Sequence, residues 1–487
     1  MFDVLITGGT VVNAWGRVTA DVGVVDGKIV ALATPGRLSD DARVTTDATG
    51  MYVFPGGIDA HVHFDIRLTE AMAAQSSTRG SRAAAYGGTT TFIDFSLQHG
   101  DESLVGSVEQ KLAELKSRKP VTDYALHAMV TGRVPLRVLD EVPDVVSGGV
   151  TSFKMFTTFA GNSASGDLFS DDGRIWGVMQ SAAAAGGLVM VHCEDDCIIS
   201  LQTERLYAAG QQHGHHIHRA RPVLAEEAAI RRMILLAERT GCPLYVVHIS
   251  SADGALAIAD ARARRVSVFG EVLHNYLVFT NADYARDDGL LYHNYPPLKE
   301  QTDQDALWRG LANGSLDTVA SDDFTVPRAA KLAGQVVDNV TGGHNGIETR
   351  LNVLYSEGVA AGRLSLERFV ELTSAGPARL FGLHPRKGAV EIGSDADLVV
   401  FDPRPEWTVR LEDLHSDCDY SVWDGHTLQG RVHSTFLRGM PLVIDGEWVG
   451  DGVVGEFARA TAIQAPTNNG APGDFVPATP VGAYASG

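Results

Sequence analysis

The opening stretch of the chain alternates short apolar runs with Gly and Asp turns: DVLITGGTVV, ADVGVVDGKIVAL, RVTTDATGMYVF. Strand-like runs with no helical stretch between them predict a small antiparallel sheet. From residue 53 the pattern changes. Eight apolar runs rich in β-branched and aromatic residues stand at 53–64, 89–97, 123–130, 149–158, 187–195, 243–251, 266–274 and 316–324. Between them lie segments with apolar residues at i, i+3, i+4 spacing, such as 224–241 and 253–264, which predict helices. Strand–helix alternation repeated eight times predicts an α/β fold, a (β/α)8 TIM barrel with insertions. Past a helix at 365–383 the strand pattern returns in AVEIGSDADLVVFDP and STFLRGMPLVIDGEWVG. These runs are expected to complete the N-terminal sheet, giving a β-sandwich domain formed by both chain ends. The expected boundaries are 1–52 and 386–457 for the two parts of the sandwich and 53–385 for the barrel. The remainder, 458–487, is rich in Pro, Gly, Ala and Asn and reads as an extended tail or arm, with Phe475, Val476 and Tyr484 as anchors.

Polar groups interrupt five of the apolar runs where a strand would end. They are His61 and His63 in GGIDAHVHFD, Lys154 in TSFKMF, His192 in LVMVHCED, His248 in LYVVHISS and Asp322 in LDTVASDDF. Strand ends on the C-terminal rim of a barrel converge, so these groups are expected to meet in space. A lone strand histidine is usually a satisfied core or surface residue; six such groups in consistent order at one rim are not. Imidazoles and carboxylates suit two divalent ions of the zinc type, with manganese or cobalt as substitutes. An ammonium among metal-bound imidazoles would be a buried charge repelled by the ions. Capture of CO2 by a neutral Lys154 removes that conflict, because the resulting carbamate is an anionic ligand with two oxygens. The plainer alternative is a salt bridge from Lys154 to Asp322.

Charge and cysteine content narrow the partners. Forty basic against sixty acidic side chains give a net charge of −20, which disfavours nucleic acid and anionic membrane. No segment approaches the ~20 apolar residues of a membrane span, and the start lacks a signal-peptide pattern. Cys193, Cys197, Cys242 and Cys418 are too few and scattered for a disulfide framework. A cytoplasmic protein is expected. Cys193 follows His192 on a strand, so its side chain should face away from the histidine's. The histidine-rich QQHGHHIHRARP (211–222) reads as a solvated loop, and GGHNG (342–346) as a turn.

The motifs PGGIDAHVHFD, GGTTTFIDF, GVTSFKMF, VMVHCED, VVHISSADG, VASDD, GIETRLNVLYSEGV and GSDADLVVFD together resemble the hydantoinase/dihydropyrimidinase family of the amidohydrolase superfamily, over residues 1–457. The resemblance implies a barrel plus β-sandwich with a carbamylated Lys154 bridging two ions. It places His61, His63 and Asp322 on one ion and His192 and His248 on the other. It further implies a metal-dependent cyclic amidohydrolase acting on carbon–nitrogen bonds other than peptide bonds, working as a homo-oligomer (dimer or tetramer). A metal-bridged hydroxide would attack a cyclic amide or imide, with Asp322 as the catalytic proton carrier.

This chain departs from the family where substrate is read. Five residues beyond the lysine the family places a tyrosine that steadies the oxyanion; here the residue is Phe159. Losing one such donor costs ~100–1000-fold in rate unless another replaces it. Tyr295 stands before Pro296 where the family carries serine, Gly342 aligns with an asparagine, and Asp323 replaces a histidine after Asp322. Phe64, Phe156 and Phe159 are candidates to line an apolar pocket. Phe64, Phe159, Tyr295 and Gly342 are therefore the expected substrate-binding positions. The alternative is the same chemistry on a linear amide, carbamate or other non-hydantoin substrate. A catalytically dead scaffold is the reading from another class, and the presence of all six candidate ligands speaks against it.

Overall fold

A computed structural model describes residues 1–39, 41–67, 73–160 and 168–462. Phe475, Val476 and Tyr484 lie outside the described residues, as does most of the expected arm. Eight parallel strands form the barrel in sequence order: Gly57–Asp59, Thr89–Gln98, Asp123–Val130, Ser152–Phe156, Leu188–His192, Leu244–Val246, Val268–Leu273 and Thr318–Ala320. Each falls within one of the apolar runs or extends it by a residue. The first and eighth strands meet just past their ends, through the Val62–Asp323 bridge and the His63 N–H donating to the Asp323 carbonyl at 2.8 Å.

Strand alternation sorts the side chains into two layers. In the fifth strand Val189 and Val191 pack outward against the helices, while Leu188 and Met190 fill the barrel interior. His192 continues the inward set, and Cys193 joins the outward core. In the fourth strand Phe153 and Met155 point outward, and Lys154 between them points in. The surrounding helices follow the predicted stripe. In Val223–Thr240, residues Ala225, Ala229, Ile230, Met233, Ile234 and Ala237 are buried, and Gly241 ends the helix with φ 70°. That left-handed conformation suits glycine.

The domain built from both chain ends is present, and its hydrogen bonding runs through one continuous nine-stranded sheet. Tyr52–Pro55 is the joint: it runs parallel to Phe2–Asn13 and antiparallel to Leu398–Thr408. The apolar run that opens at residue 53 is thus divided, its first residues serving the sheet and its later ones the barrel. Val4, Ile6, Val22, Val24, Val53, Leu398, Val400 and Phe436 form a separate apolar core for the sheet.

A buried ion cluster ties the two parts together. Lys387 Nζ lies 2.7 Å from Asp123, 2.5 Å from Asp397 and 3.5 Å from Asp395. Asp123 begins the third barrel strand, and Arg438, in the turn just after the strand Thr427–Leu437, also pairs with it. The three carboxylates have the spacing of a cation site. The lysine ammonium stands among them as that cation.

Candidate metal centre

Six groups named from the sequence are gathered at the C-terminal rim. Lys154 lies within its strand and His192 ends its own, whereas His61, His63, His248 and Asp322 stand a few residues past theirs. His248 and Asp322 have φ of 40° and 52°. These left-handed turns carry the chain out of the sheet, so the strands stop earlier than their apolar runs. Asp322 Oδ1 is 3.2 Å from His61 Nε2 and 3.1 Å from His63 Nε2. The His61 and His248 rings are 5.6 Å apart between centroids, and those of His192 and His248 are 4.5 Å apart. Lys154 Nζ lies 5.0 Å from the Phe156 ring centre and 5.7 Å from that of Phe95. All but His63 are buried.

Outer partners fix which atoms face inward. His61 Nδ1 is 2.8 Å from Glu271 Oε1, the same oxygen that accepts the His248 backbone N–H at 3.0 Å. The Tyr245 hydroxyl donates to the other Glu271 oxygen at 2.9 Å. Burial pushes Glu271 up to about 8, against the charge of Lys154. Two other donors nevertheless converge on this side chain, so its oxygens act as acceptors and His61 carries its proton on Nδ1. His61 Nε2 then points a lone pair at Asp322 Oδ1. On the far side, His192 Nε2 is 2.7 Å from Glu194, which also holds Arg221 at 2.5 Å. Glu194 thus engages Nε2 and not Nδ1 of His192, and His248 Nδ1 is buried with no partner.

The electrostatics agree with these roles. Burial holds the imidazoles of His61 and His248 well below their ordinary value and that of His192 at about 4, so all three are neutral donors of lone pairs. Burial would raise the Asp322 carboxyl, but positive charge at His61 and His63, the place a bound cation would take, outweighs it and keeps the group well below the usual range. Asn294 Nδ2 donates to its other oxygen at 2.9 Å. Burial lowers Lys154 to about 8, against the pull of Asp322 and Glu271, which brings a neutral amine within reach. An imidazole lone pair facing a carboxylate oxygen at 3.2 Å is repulsive unless a cation joins them. The donor set therefore fits a divalent ion at His61, His63 and Asp322, and these three have the spacing to hold one. His192, His248 and Lys154 are the donors available to a second.

The expected substrate-side positions divide. Phe159 and Tyr295 stand together, ring centres 5.3 Å apart and edge to face, and Phe159 is 5.2 Å from the His192 ring. Gly342 abuts Tyr295. Phe64 does not join them. It is fully buried against Phe92 and Gly80, because alternation sends it outward when its neighbour His63 turns in. Asp323 accepts N–H groups from Gly346 and Ile347 and bonds Thr325 and Gln75, so it braces the loop. Within 211–222, Gly214–His216 and Ile217–Ala220 form two short helical turns rather than open loop, with His213 and His215 stacked on each other. Glu271, Asn294 and Arg221 were not anticipated. Only Glu271 left a signal, as a charge inside an apolar run.

Comparison with known proteins agrees with this architecture. The sequence profile described as the Amidohydrolase family matches residues 52–449. The chain is 36% identical to a D-hydantoinase of Streptomyces coelicolor over 92% of its length and 95% of the relative's. It is 37% identical to a D-phenylhydantoinase of Escherichia coli K12, covering 94% and 98%. The crystal structure of a dihydropyrimidinase from Brevibacillus agri superposes with a TM-score of 0.89 at 35% identity, covering 94% and 99%. A barrel of this topology, a rim carrying a set of metal-donor side chains, and likeness along nearly the full length converge: the chain belongs to the amidohydrolase family, within its hydantoinase/dihydropyrimidinase branch.

Proposed function

We propose that this protein hydrolyses a carbon–nitrogen bond of a cyclic amide or imide at a metal centre held by His61, His63, Lys154, His192, His248 and Asp322. The observation that carries the reading is the approach of two imidazole nitrogens to one Asp322 oxygen, at 3.2 and 3.1 Å. His61, His63 and Asp322 would hold one ion, and His192 and His248 the other. Lys154, as a CO2-derived carbamate, would serve both. Zinc is the default by ligand type, with manganese or cobalt as substitutes. When bound, the ions supply acidification of water and polarisation of the substrate carbonyl.

The protein's own groups do the rest. Asp322 is ionised, with Asn294 steadying the oxygen that His61 and His63 do not face. As water attacks the ring carbonyl carbon, Asp322 takes its proton and passes it to the ring nitrogen when the C–N bond breaks. An amide nitrogen leaves poorly without that proton. The product is a ring-opened carboxylic acid. Glu271 and Glu194 keep His61 and His192 in fixed tautomers throughout. Cytoplasmic residence and homo-oligomeric assembly, as a dimer or tetramer, belong to the same proposal. The four cysteines are free thiols, which suits a reducing compartment.

The test is hydrolysis of substituted hydantoins, dihydropyrimidines and linear amides or carbamates at neutral pH, with metal content measured on the same sample. Ring opening of a cyclic compound by protein holding about two ions per chain is expected. Turnover confined to linear compounds would overturn the reading.

A further inference from the structure

We infer that Lys331 is a positioning residue for Asp322, its ammonium clamping the two rim segments between which Asn294 holds the carboxylate. Lys331 ends the short helix Arg328–Lys331, is fully buried and takes no part in the metal-donor set. Its Nζ donates to three main-chain carbonyls, those of His293 at 2.6 Å, Thr341 at 2.7 Å and Gly343 at 2.5 Å. An ammonium taken out of water is costly unless its hydrogens are engaged. Three acceptors for three hydrogens meet that need, so this lysine is bound to backbone rather than to an acid. Burial pulls the group down to about 7, and Cys418 and then Asp322 pull it back, so the lysine feels the Asp322 charge.

The three carbonyls belong to the two segments that meet at Asn294. The His293 carbonyl is part of the peptide unit that carries the Asn294 N–H. Gly343 is gripped at both main-chain groups: its carbonyl accepts from Lys331, and its N–H donates to Asn294 Oδ1 at 3.1 Å. Asn294 Oδ1 also accepts the Tyr295 N–H at 2.9 Å. Two donors on that oxygen fix the orientation of the carboxamide, and Nδ2 then faces Asp322 Oδ2 at 2.9 Å.

Lys331, the 293–294 peptide, Asn294 and Gly343 thus close a ring of bonds behind the side chain that holds the second Asp322 oxygen. Without the ammonium, three buried carbonyls lose their donor, and the segments carrying Asn294 and Gly343 are pushed to part. Resting on the reading of Asp322 as metal ligand and proton carrier, Lys331 acts on the reaction only through Asn294.

The experiment compares Lys331→Met, Asn294→Ala and the double variant with the parent protein. Zinc affinity, by competition with a chromogenic chelator, is one readout; kcat and KM for the opening of a hydantoin are the other. Lys331→Met is expected to lower zinc affinity and kcat by about 10–100-fold each, the usual cost of losing an outer partner. The ratio kcat/KM should fall with kcat, because Asp322 acts in the chemical step. In the Asn294→Ala background the same substitution should cost less than about 2-fold. A residue that only supports the fold would cost the same factor in both backgrounds. If Lys331→Met does not fold, Lys331→Gln, which keeps two donor hydrogens, carries the same comparison. Equal losses in the two backgrounds, or no loss in the parent, overturn the proposal. A parent protein that opens no cyclic amide sinks the functional reading instead, and the zinc comparison still decides the positioning.

Discussion

Glu271 Oε1 lies 2.8 Å from His61 Nδ1, and through that one contact a strand-seven carboxylate determines which nitrogen of a strand-one imidazole faces the rim. The same oxygen accepts the His248 N–H, so Glu271 braces one histidine by its ring and another by its backbone. Glu271→Ala should lower metal retention and kcat/KM by about 10–100-fold, the usual cost of losing such an outer partner. Glu271→Gln keeps an acceptor of the same size and should lose less. Metal content after dialysis against a weak chelator checks both. Full retention by the alanine variant would show that the contact does not orient the ligand.

Lys154 is buried to 1% exposure and lies near the rings of Phe95 and Phe156. An unmodified ammonium would lose its hydration there and would repel an ion. Lys154→Ala should therefore abolish metal retention, with partial rescue by millimolar short carboxylic acids that replace the carbamate oxygens. Mass spectrometry of the intact parent protein should show the added mass of CO2 under native conditions. A Lys154→Ala protein with two ions and full activity would refute the bridging role.

The eight barrel strands were legible because each apolar run is short, β-branched and punctuated. Their ends were not, because the left-handed turns at His248 and Asp322 leave no mark in hydrophobicity. Four histidines, a lysine and an aspartate stood out because each breaks such a run. Glu271 breaks one too, yet a single acid in one strand has no partner visible until the barrel closes. Phe64 was misplaced although alternation beside His63 already pointed it outward. Asn294 and Arg221 come from irregular segments with no period to read. The fit of Tyr295 against Gly342 is tertiary, joining residues 47 positions apart in sequence, and no local pattern encodes it.

Asp322 faces two imidazoles with one oxygen and Asn294 with the other. Asp322→Asn keeps the shape but loses the charge and the capacity to take a proton. Its thermal midpoint in chelator-treated protein should stay close to the parent's. Turnover should fall by at least about 100-fold, the lower range for removing a positioned acid–base group. A near-normal rate would exclude Asp322 as the proton carrier.

Lys387 supplies the cation for three carboxylates at the barrel–sheet junction, and its removal tests the junction independently of the rim. Burial alone would lower the Lys387 pKa, but Asp397, Asp123 and Asp395 outweigh it and raise the group above its ordinary value. Its contribution to stability is thus complete below pH 10.5 and is lost only as pH rises through the folded value. Asp123 and Asp395 are lowered, burial being outweighed chiefly by Lys387, so their contribution is present above pH 3.8 and fades as pH falls through their folded values. Asp397 is the exception: burial, which Lys387 offsets only in part, holds its carboxyl above the ordinary value, so the parent already gains some stability from this cluster as the pH falls toward that folded value. Lys387→Met leaves Asp123 only its Arg438 pairing and strips Asp397 of its ammonium partner, a loss of about 3–5 kcal/mol. In that variant Asp397 loses the ammonium that partly offsets its burial and should titrate higher still, so stability should recover more steeply than in the parent as the pH is lowered from 8 toward 5. Urea unfolding of parent and variant across that range measures both the size and the sign; a variant that weakens further on acidification would contradict the ion-cluster account.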